Sequence, residues 1–508
     1  MILAFPGPAV AGPGADAATA RRGLAAAVAA GRVQALDAER YLGYLSSSVS
    51  TLRQLPPARA ANLGAVLSDV ARQAGRYNEA RALTLFSMLD LNTRYLGRSD
   101  MPEQGTDVAD VDGVVYRAFA GRGLQFHPLA NFGKVNAAVL SGRGAEGLRH
   151  IYALLARGVP SGQATVWEYY FRYAGGAPPW RSGMAQAVAA QALARAGLVK
   201  EARRAYLAIP SGLLSRVSAG PWIRLYSFSP VVVLNAQLQA AISVGDYAAL
   251  AKDRGAASLA PQLQASAAAL FPRFDTGFWS LYALGGSEAP LGYHRYVVSL
   301  LEKLAQRTGD TGWAERAARF QLYTRQPPNV TPGSPSPVLF SRPADGYRDE
   351  ATISFRLSKG ATVTLQVAGS RQTRTLARGP HTMGWNAAGR PAGVYVPRLR
   401  AVDAAGNAFE TALPEVTVRW DTVAPQISAS VRGRVLTWRA VDEGTPWVRL
   451  VVRLDRSGRT RLVDLGRQAL AGSTRLRLPP GTWSATLVAY DSARNQARTD
   501  LGALGRSS

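Results

Sequence analysis

The stretch LGYHRY at residues 291–296 places Tyr293, His294 and Tyr296 within about one helical turn of one another. Tyrosine and histidine join an apolar ring to a titratable tip, so such a cluster can hold or move a proton at the edge of a cleft. An amphipathic pattern follows, so the same residues could instead be the packed start of a helix. The cleft interpretation predicts that the Tyr293 hydroxyl faces a cleft. It also predicts that Tyr296, which shares a stripe with Leu300, packs inward.

Aromatic rings stand beside Arg, Asn or Gln in four stretches of an otherwise Ala-rich region: residues 121–136, 167–186, 222–239 and 274–294. Aromatic faces stack on sugar rings, and guanidinium and amide groups bind hydroxyls and carboxylates. The pattern therefore predicts a carbohydrate-binding cleft. The candidate substrate-binding residues in it are His127, Arg172, Arg181, Gln186, Arg224, Asn235 and His294.

The elements that must position these residues are predicted to be helices. From about residue 37 to residue 325, apolar residues recur with helical spacing, and Gly or Pro separates short segments. This pattern predicts an array of paired helices, an (α/α) toroid. Residues 1–36 are predicted to be a disordered or remnant signal segment. Residues 326–336, rich in Pro, Gly, Ser and Asn, predict a linker.

Beyond the linker the apolar period changes to two, which predicts two all-β immunoglobulin-like sandwiches at residues 337–422 and 423–508. An internal repeat aligns Asp403 and Asn407 with Asp491 and Asn495. This Asp…Asn spacing fits either calcium ligands or an Asx-type turn. The turn is favoured because a strand end followed by Asp and Asn needs no metal to explain it.

The composition is strongly basic, with 59 Lys and Arg against 34 Asp and Glu and a formal net charge of +25. A basic surface attracts polyanions, and an acidic polysaccharide or an anionic cell envelope is the predicted partner. No basic helix, zinc finger or aromatic RNA-binding motif points to nucleic acid. The absence of cysteine excludes a thiolate metal site and a cysteine nucleophile. With only four scattered histidines, neither a metal nor a cofactor is predicted.

Two segments of the sequence bear on where in or outside the cell the protein is found. The first 22 residues contain a short apolar stretch and an Ala15-Asp16-Ala17 cleavage-like site without a basic start, which predicts a secreted or cell-envelope protein, with a disordered tail as the alternative. The window Leu225–Gly245 is uncharged over the length of a membrane span. Because it contains Pro230 and several amide side chains, we predict a buried soluble segment and no integral membrane segment.

The motifs PWRSGMAQAVAAQALARA, YSFSPVVVLN, DTGFWSLY and YHRYVVSLLEKLAQRTGD, in this order, resemble the C-terminal catalytic domain of D-glucuronyl C5-epimerases over roughly residues 100–325. The resemblance implies an isomerase with a helical (α/α)-type domain. It would invert C5 of glucuronic acid residues in heparosan-type polysaccharides without a redox cofactor. Whether the protein forms a homodimer is left open. Catalytic roles are implied for Tyr226, Tyr282 and Tyr293.

The implied reaction removes the proton at C5, next to the carboxyl group, and returns a proton from the other face of the sugar. Cations must hold the carboxyl group while charge moves onto it. The cations available by sequence, Arg172, Arg181, Arg224 and Arg295, are expected to lower the pKa values of the tyrosines.

The chain departs from the family at one informative position. Leu225 stands where the family has an acidic residue before the first tyrosine, and Ser227 replaces the following proline. Either another acid serves, with Glu168 and Glu288 as the candidates, or the tyrosines act alone. Two other functions therefore stay open: a polysaccharide lyase that abstracts the same C5 proton, and a non-catalytic glycan-binding or cell-envelope protein.

Overall fold

The chain folds into a helical unit followed by an all-β unit. The computed structural model describes residues 12–506 and divides into Met1–Leu322 and Tyr323–Ser508. The predicted change from helical to β structure is therefore confirmed.

Within the described residues, the helical unit is built on α-helices that are joined by short turns and by longer segments. They are α1 (Pro13–Ala29), α2 (Ala35–Leu52), α3 (Pro57–Arg72), α4 (Glu79–Leu96), α5 (Pro128–Leu140), α6 (Gly144–Leu155), α7 (Gly183–Arg195), α8 (Val199–Leu207), α9 (Leu234–Ala251), α10 (Arg254–Leu270), α11 (Leu291–Thr308) and α12 (Thr311–Tyr323).

The helices from α5 onward form a regular array. Helix α7 packs between α5 and α9, and α11 packs on α9, while α6, α8 and α10 each pack on the helix before them. Helix α7 is buried on every side, and its alanines allow the close approach of three neighbours. This is the predicted arrangement of paired helices; closure of the array into a toroid stays a prediction.

Helix α1 corrects the prediction for residues 1–36. The segment Pro13–Ala29 is helical and packs on α3, with Ala20, Leu24 and Ala27 almost completely buried. Small residues at helical spacing let the two helices approach, so the Ala-rich composition serves packing here rather than disorder. Half of the predicted export signal, residues 1–11, lies outside the described residues.

Short antiparallel hairpins connect the helices near their ends. One sheet contains β1 (Asp107–Ala109), β2 (Val115–Phe119) and β3 (Gly123–Phe126); two further hairpins are β4 (Val159–Ser161) with β5 (Ala164–Val166), and β6 (Leu214–Val217) with β7 (Gly220–Ile223). These hairpins carry the chain into α5, α7 and α9, so they set the positions of the residues that precede those helices.

The strands of the all-β unit follow one another along the chain. They are β8 (Val330–Pro332), β9 (Leu339–Arg342), β10 (Glu350–Leu357), β11 (Ala361–Val367), β12 (Ser370–Leu376), β13 (Gly379–Asn386), β14 (Gly393–Tyr395), β15 (Arg398–Asp403), β16 (Ala408–Ala412), β17 (Val416–Trp420), β18 (Gln426–Arg432), β19 (Val435–Val441), β20 (Trp447–Arg456), β21 (Arg459–Ala469), β22 (Ala471–Arg475), β23 (Gly481–Tyr490) and β24 (Gln496–Arg506).

The two halves of this unit repeat one topology. In the first module, sheets β13-β10-β8 and β12-β11-β15-β16 share one core, and a small sheet β14-β17-β9 is added. In the second module, sheets β18-β19-β22 and β21-β20-β23-β24 share another core. Alternate residues of β10 and β11 are buried, as expected for two facing sheets. The predicted pair of immunoglobulin-like sandwiches is confirmed.

The predicted linker at residues 326–336 is shorter than expected. Strand β8 lies inside it and pairs antiparallel with β10 through Phe355, Arg356 and Leu357. Gly333 N–H donates to the Ser354 carbonyl at 2.9 Å, so the segment after β8 is also tied to the sandwich. Proline is tolerated here because β8 is an edge strand and needs few donors.

The uncharged window Leu225–Gly245 folds as a loop followed by the first part of α9. Among the described residues, no helix combines the length and the hydropathy needed to cross a membrane.

Candidate active site

A cavity of about 970 Å³ opens in the helical unit along α5, α7, α9 and α11. Aromatic rings form much of its lining, and none of the described residues that line it carries a carboxylate. The lining includes Arg117, Phe119, His127, Tyr169, Phe171, Tyr173, Trp180, Leu225, Tyr226, Asn235, Gln239, Tyr282, Tyr293, Tyr296, Lys303 and Arg307.

The three predicted catalytic tyrosines reach this cavity from separate parts of the chain. Tyr226 follows β7, and its ring lies 5.4 Å from that of Tyr173. Tyr282 lies in the loop before α11, where its N–H donates to the Ser287 carbonyl at 3.1 Å. Tyr293 is the third residue of α11, and its ring meets that of Tyr282 edge-on at 5.1 Å. The three hydroxyls interact in series, with Tyr282 in the middle.

The structure corrects the expectation that arginines lower the pKa values of these tyrosines. Burial raises the pKa of Tyr282 to about 12 and raises those of Tyr226 and Tyr293 above the ordinary value. The neighbouring Tyr173 adds to the rise at Tyr293. At neutral pH all three are therefore predominantly phenols, which donate protons or hydrogen bonds. Tyr293 is 44% exposed, the most accessible of the three.

Arg117 is one of the cavity cations that the sequence analysis missed. It lies on β2, lines the cavity, and its positive charge opposes the rise in the pKa of Tyr293. Its guanidinium forms a two-point pair with Asp107, at 2.7 Å and 2.8 Å, which fixes its plane. The segment around Arg117 has no motif of its own, because the residue reaches the cavity only through the hairpin of β1 and β2.

The four arginines expected at the site lie elsewhere. Arg181 contacts the buried carboxylate of Glu168 at 3.5 Å, and Arg224 donates to the Leu214 carbonyl at 3.3 Å. Neither lines the cavity, and nor do Arg172 and Arg295. Arg181 and Arg224 thus serve loop structure, whereas the cavity takes its cations from β2, α7 and α11.

The predicted substitute acids also lie outside the cavity lining. Glu168, with a side chain 1% exposed, forms a fork with Arg81 at 2.8 Å and 3.1 Å. This ion pair stabilises the loop between β5 and α7 rather than supplying a base. Glu288 pairs in a β-bridge with Leu281 and does not line the cavity either. Leu225, in contrast, lines the cavity directly before Tyr226.

His127 lies in the cavity lining as a neutral imidazole. It immediately precedes α5, and its Nδ1 accepts the Ala130 N–H at 3.1 Å, so the ring proton resides on Nε2. Burial, assisted by the charge of Arg117, lowers the pKa of His127 to about 3. His127 can therefore donate a hydrogen bond to a ligand from Nε2. The ring of Tyr169 packs edge-on against it at 5.4 Å.

Two predicted substrate-binding residues are structural instead. His294 is fully buried; Ser280 Oγ lies 2.7 Å from its Nδ1, and the Phe320 carbonyl lies 2.8 Å from its Nε2. It thereby ties α11 to the loop that carries Tyr282. Gln186 is also buried, and its amide bonds the backbone at Trp167, Thr165 and Ala205. Both residues stabilise the cavity walls without lining them. Asn235, by contrast, does line the cavity.

A polar network forms one side of the cavity. Asp246 accepts hydrogen bonds from Gln191 at 2.6 Å and pairs with Arg195 and Arg307. Nearby, the Tyr296 hydroxyl donates to Gln239 Oε1 at 2.7 Å. Tyr296 was expected to pack inward; instead it is half-buried, with one side on the core and the other in the cavity lining.

Comparison with known proteins finds a family match for part of the helical unit. Residues 161–322 match the family described as D-glucuronyl C5-epimerase C-terminus. No curated protein matches the sequence.

Solved structures give weak likenesses. The fibronectin(III)-like modules of Clostridium thermocellum CbhA share 17% identity, covering 34% of this chain and 92% of theirs, with a TM-score of 0.16. Dimeric latent PorU from Porphyromonas gingivalis shares 12% identity over 36% of this chain and 20% of its own, also with a TM-score of 0.16. The FN1-FN3 domains of chicken CNTN1 share 15% identity, covering 35% of this chain and 65% of theirs, with a TM-score of 0.17.

At these TM-scores the structural likenesses carry no weight for fold or function. The family match carries weight for function, because the matched residues include Tyr226, Tyr282 and Tyr293 and the loops that position them. The resemblance read from the sequence is thereby confirmed: residues 161–322 match the family described as D-glucuronyl C5-epimerase C-terminus.

Proposed function

We propose that this protein is an epimerase that inverts C5 of uronic acid residues within an acidic polysaccharide. The family match supports a carbohydrate epimerase-like function. The observation that carries the specific reaction is the convergence of three tyrosines, from three separate segments, in one cavity whose described lining has no carboxylate. Phenols then supply the proton-transferring groups.

Substrate binding follows from the charge and the rings of the cavity. Arg117, Lys303 and Arg307 line it, so its entrance favours an anionic chain. The stacked pair Tyr169 and Trp180, with ring centroids 4.0 Å apart, belongs to an aromatic wall against which sugar faces pack. Arg117 is the group proposed to hold the sugar carboxylate, and His127 Nε2–H donates a further hydrogen bond to it.

The proposed reaction begins at Tyr293. Its phenolate, formed with help from the charge of Arg117, takes the C5 proton, and the electron pair moves onto the sugar carboxyl group. Tyr226, whose pKa is raised furthest by burial, is fully protonated and returns a proton to C5 from the other face. Tyr282, between the two, then passes the proton from Tyr293 to Tyr226. The cycle has no net gain or loss of protons or electrons.

A lyase is the second candidate, and the contact between Tyr282 and Tyr293 favours it. Neighbouring phenols on one side of a sugar can remove the C5 proton and protonate the leaving oxygen at C4. The product would then be an unsaturated sugar rather than an inverted one. The two reactions share the first step and differ in where the second proton goes.

The test uses the full chain with glucuronic-acid and iduronic-acid polysaccharides in deuterated water. NMR follows deuterium at C5 and the ratio of the two epimers, while ultraviolet absorbance follows unsaturated product. Exchange at C5 with inversion is expected. Exchange with growing ultraviolet absorbance would assign the lyase reaction instead, and binding without exchange on every polymer would show that Leu225 marks a non-catalytic binding protein.

A further inference from the structure

Three aspartates of the all-β unit meet at one end of the second module. Asp421 follows β17, Asp442 lies in the loop between β19 and β20, and Asp491 follows β23. One carboxylate oxygen from each lies within 4.8 Å of the others. Asp421 is 7% exposed and Asp491 is 2% exposed, so two of the three charges are shielded from water.

The corresponding place in the first module holds an ammonium group. Lys359, in the loop between β10 and β11, is buried and lies 2.6 Å from the carboxylate of Asp403, at the end of β15. Its Nζ also donates to the carbonyl of Tyr323 at 2.9 Å and to that of Gln326. One buried carboxylate and two carbonyl oxygens thus surround one positive charge.

The two places are equivalent by topology and by hydrogen bonding. Strands β11 and β15 pair in the first module as β20 and β23 do in the second. Asn407 Nδ2 donates to the Thr324 carbonyl at 2.9 Å, and Asn495 Nδ2 donates to the Asp421 carbonyl at 3.2 Å. The loop of Lys359 in one module is therefore the loop of Asp442 in the other.

The Asp…Asn pairs themselves form turns, as the sequence predicted. Asp403 Oδ1 accepts the N–H groups of Ala405 and Asn407, and Asp491 Oδ1 accepts that of Asn495. The turns are alike in the two modules. The difference between the modules lies in what faces the turn carboxylate: a lysine in the first and two further aspartates in the second.

The second module is left with buried negative charge. Among the described residues, Asp421 Oδ2 and Asp442 Oδ2 are buried without a hydrogen-bond partner. Burial, with repulsion from Asp491 and Asp442, raises the pKa of Asp421 to about 6. Gly444 packs so closely on the Asp421 carboxylate that no side chain fits between them. An uncompensated buried carboxylate is costly unless a cation faces it.

We propose that Asp421, Asp442 and Asp491 bind a calcium ion that takes the place of the Lys359 ammonium of the first module. Calcium accepts oxygen ligands at 2.3–2.6 Å, so two ligands of one ion are at most about 5 Å apart, as the three carboxylates are. The three carboxylates offer hard oxygen donors and no nitrogen or sulfur. Magnesium demands an octahedral shell and retains several waters, which suits this crowded site less well.

The proposed ion would act on the connection between the modules. Asp421 lies between β17, the last strand of the first module, and β18, the first strand of the second. Arg348 of the first module also reaches Glu443, the neighbour of Asp442, at 3.2 Å. Calcium would therefore fix the start of the second module to its own loops, as Lys359 fixes the segment before β8.

The experiment compares full-length wild type with Asp442→Asn, Asp442→Lys and Glu415→Gln after removal of metals with a chelator. Calorimetric titration with calcium chloride is expected to show one site in the wild type, at least about tenfold weaker binding in Asp442→Asn, and none in Asp442→Lys. Glu415→Gln, which removes an exposed carboxylate between β16 and β17, should bind as the wild type does.

Thermal unfolding gives the second measurement. Calcium should raise the midpoint of the wild type, whereas Asp442→Lys should be stable without calcium and unaffected by it, because the lysine restores the arrangement of the first module. The proposal is overturned if wild type shows neither heat nor a shift in midpoint, if Glu415→Gln weakens binding as much as Asp442→Asn, if Asp442→Lys still binds calcium, or if magnesium binds more tightly.

Discussion

The histidines and cavity tyrosines of the helical unit are buried as neutral groups, whereas the Lys359–Asp403 pair of the all-β unit is buried as ions. In the helical unit, burial lowers the pKa of His127 to about 3 and that of His150 to about 4, so both are neutral. The cavity tyrosines are likewise kept as phenols by burial. In the all-β unit, Lys359 and Asp403 face each other as ions, each with a side chain only 1% exposed.

The difference bears on function. A buried neutral group needs only hydrogen-bond partners, and it can offer an unused donor to a ligand. A buried ion needs a counter-ion. Buried carboxylates without one therefore indicate a binding site for a cation. The cavity collects donors and cations without a carboxylate, which suits an anionic sugar; the second module collects carboxylates without a cation, which suits a metal. The predictions below test each side of this contrast.

The largest expected effect is on catalysis by the phenols. Tyr293→Phe should reduce C5 exchange by about 10²–10⁴-fold, the usual contribution of a positioned acid or base. Folding should be nearly unchanged, because only a hydroxyl at a 44% exposed position is lost. Tyr152→Phe, on a 62% exposed tyrosine of α6, is the matched control and should keep full activity. Equal activity of the two variants would remove Tyr293 from the mechanism.

The ionic side of the contrast is tested at Lys359. Lys359→Met removes one partner of a buried pair and leaves Asp403 uncompensated, which typically costs about 3–5 kcal/mol. Hydrogen exchange read by mass spectrometry on peptides of β10 and β11 should show this loss within the full chain. Arg400→Ala, which breaks the exposed pair with Glu410, should cost no more than about 1 kcal/mol. A second change, Asp403→Asn, should recover part of the Lys359→Met loss.

Arg117 should affect both rate and pH dependence. Its charge opposes the burial that raises the pKa of Tyr293, so Arg117→Ala should raise that pKa further. Less phenolate is then present at a given pH, and the rising limb of kcat/KM against pH should move to higher pH. Loss of the contact to the substrate carboxylate should lower kcat/KM by about 10–100-fold at neutral pH. Arg172→Ala, an exposed arginine outside the lining, should change neither quantity.

Sequence reasoning located the tyrosines but not their surroundings. The tyrosines lie in short motifs whose order along the chain is informative, whereas Arg117 reaches the cavity only through tertiary packing. Successive helix residues point about 100° apart, so Tyr293 and His294 cannot both face the cavity. Tyr293 and Tyr296, three residues apart, share a helix face, which explains why Tyr296 also reaches the cavity. The change to β structure was predicted because a period of two is a local feature of the sequence, whereas the pairing of β8 with β10 depends on tertiary structure.

The neutral histidines predict an acid-sensitive helical unit. The unfolded chain binds a proton at His150 below about pH 6.5, whereas the folded chain does so only below about pH 4. Stability should therefore fall as pH decreases through this window, by about 1.4 kcal/mol per pH unit for this residue. His150→Gln should flatten the slope by that amount, as measured by chemical denaturation followed at 222 nm. An unchanged slope would mean that His150 is protonated in the folded state.

The smallest expected effect distinguishes Tyr296 from the catalytic tyrosines. Tyr296→Phe removes the hydroxyl that donates to Gln239 at 2.7 Å, a bond worth about 0.5–1.5 kcal/mol of stability. The ring still packs on the core, and water in the cavity can donate a hydrogen bond to Gln239. The loss of stability should therefore lie at the low end of this range. C5 exchange should fall by less than about tenfold, since the hydroxyl positions the wall and carries no proton in the reaction. If Tyr296→Phe instead lost as much exchange as Tyr293→Phe, the proton would pass through the Tyr296–Gln239 side of the cavity, and the series from Tyr293 through Tyr282 to Tyr226 would be wrong.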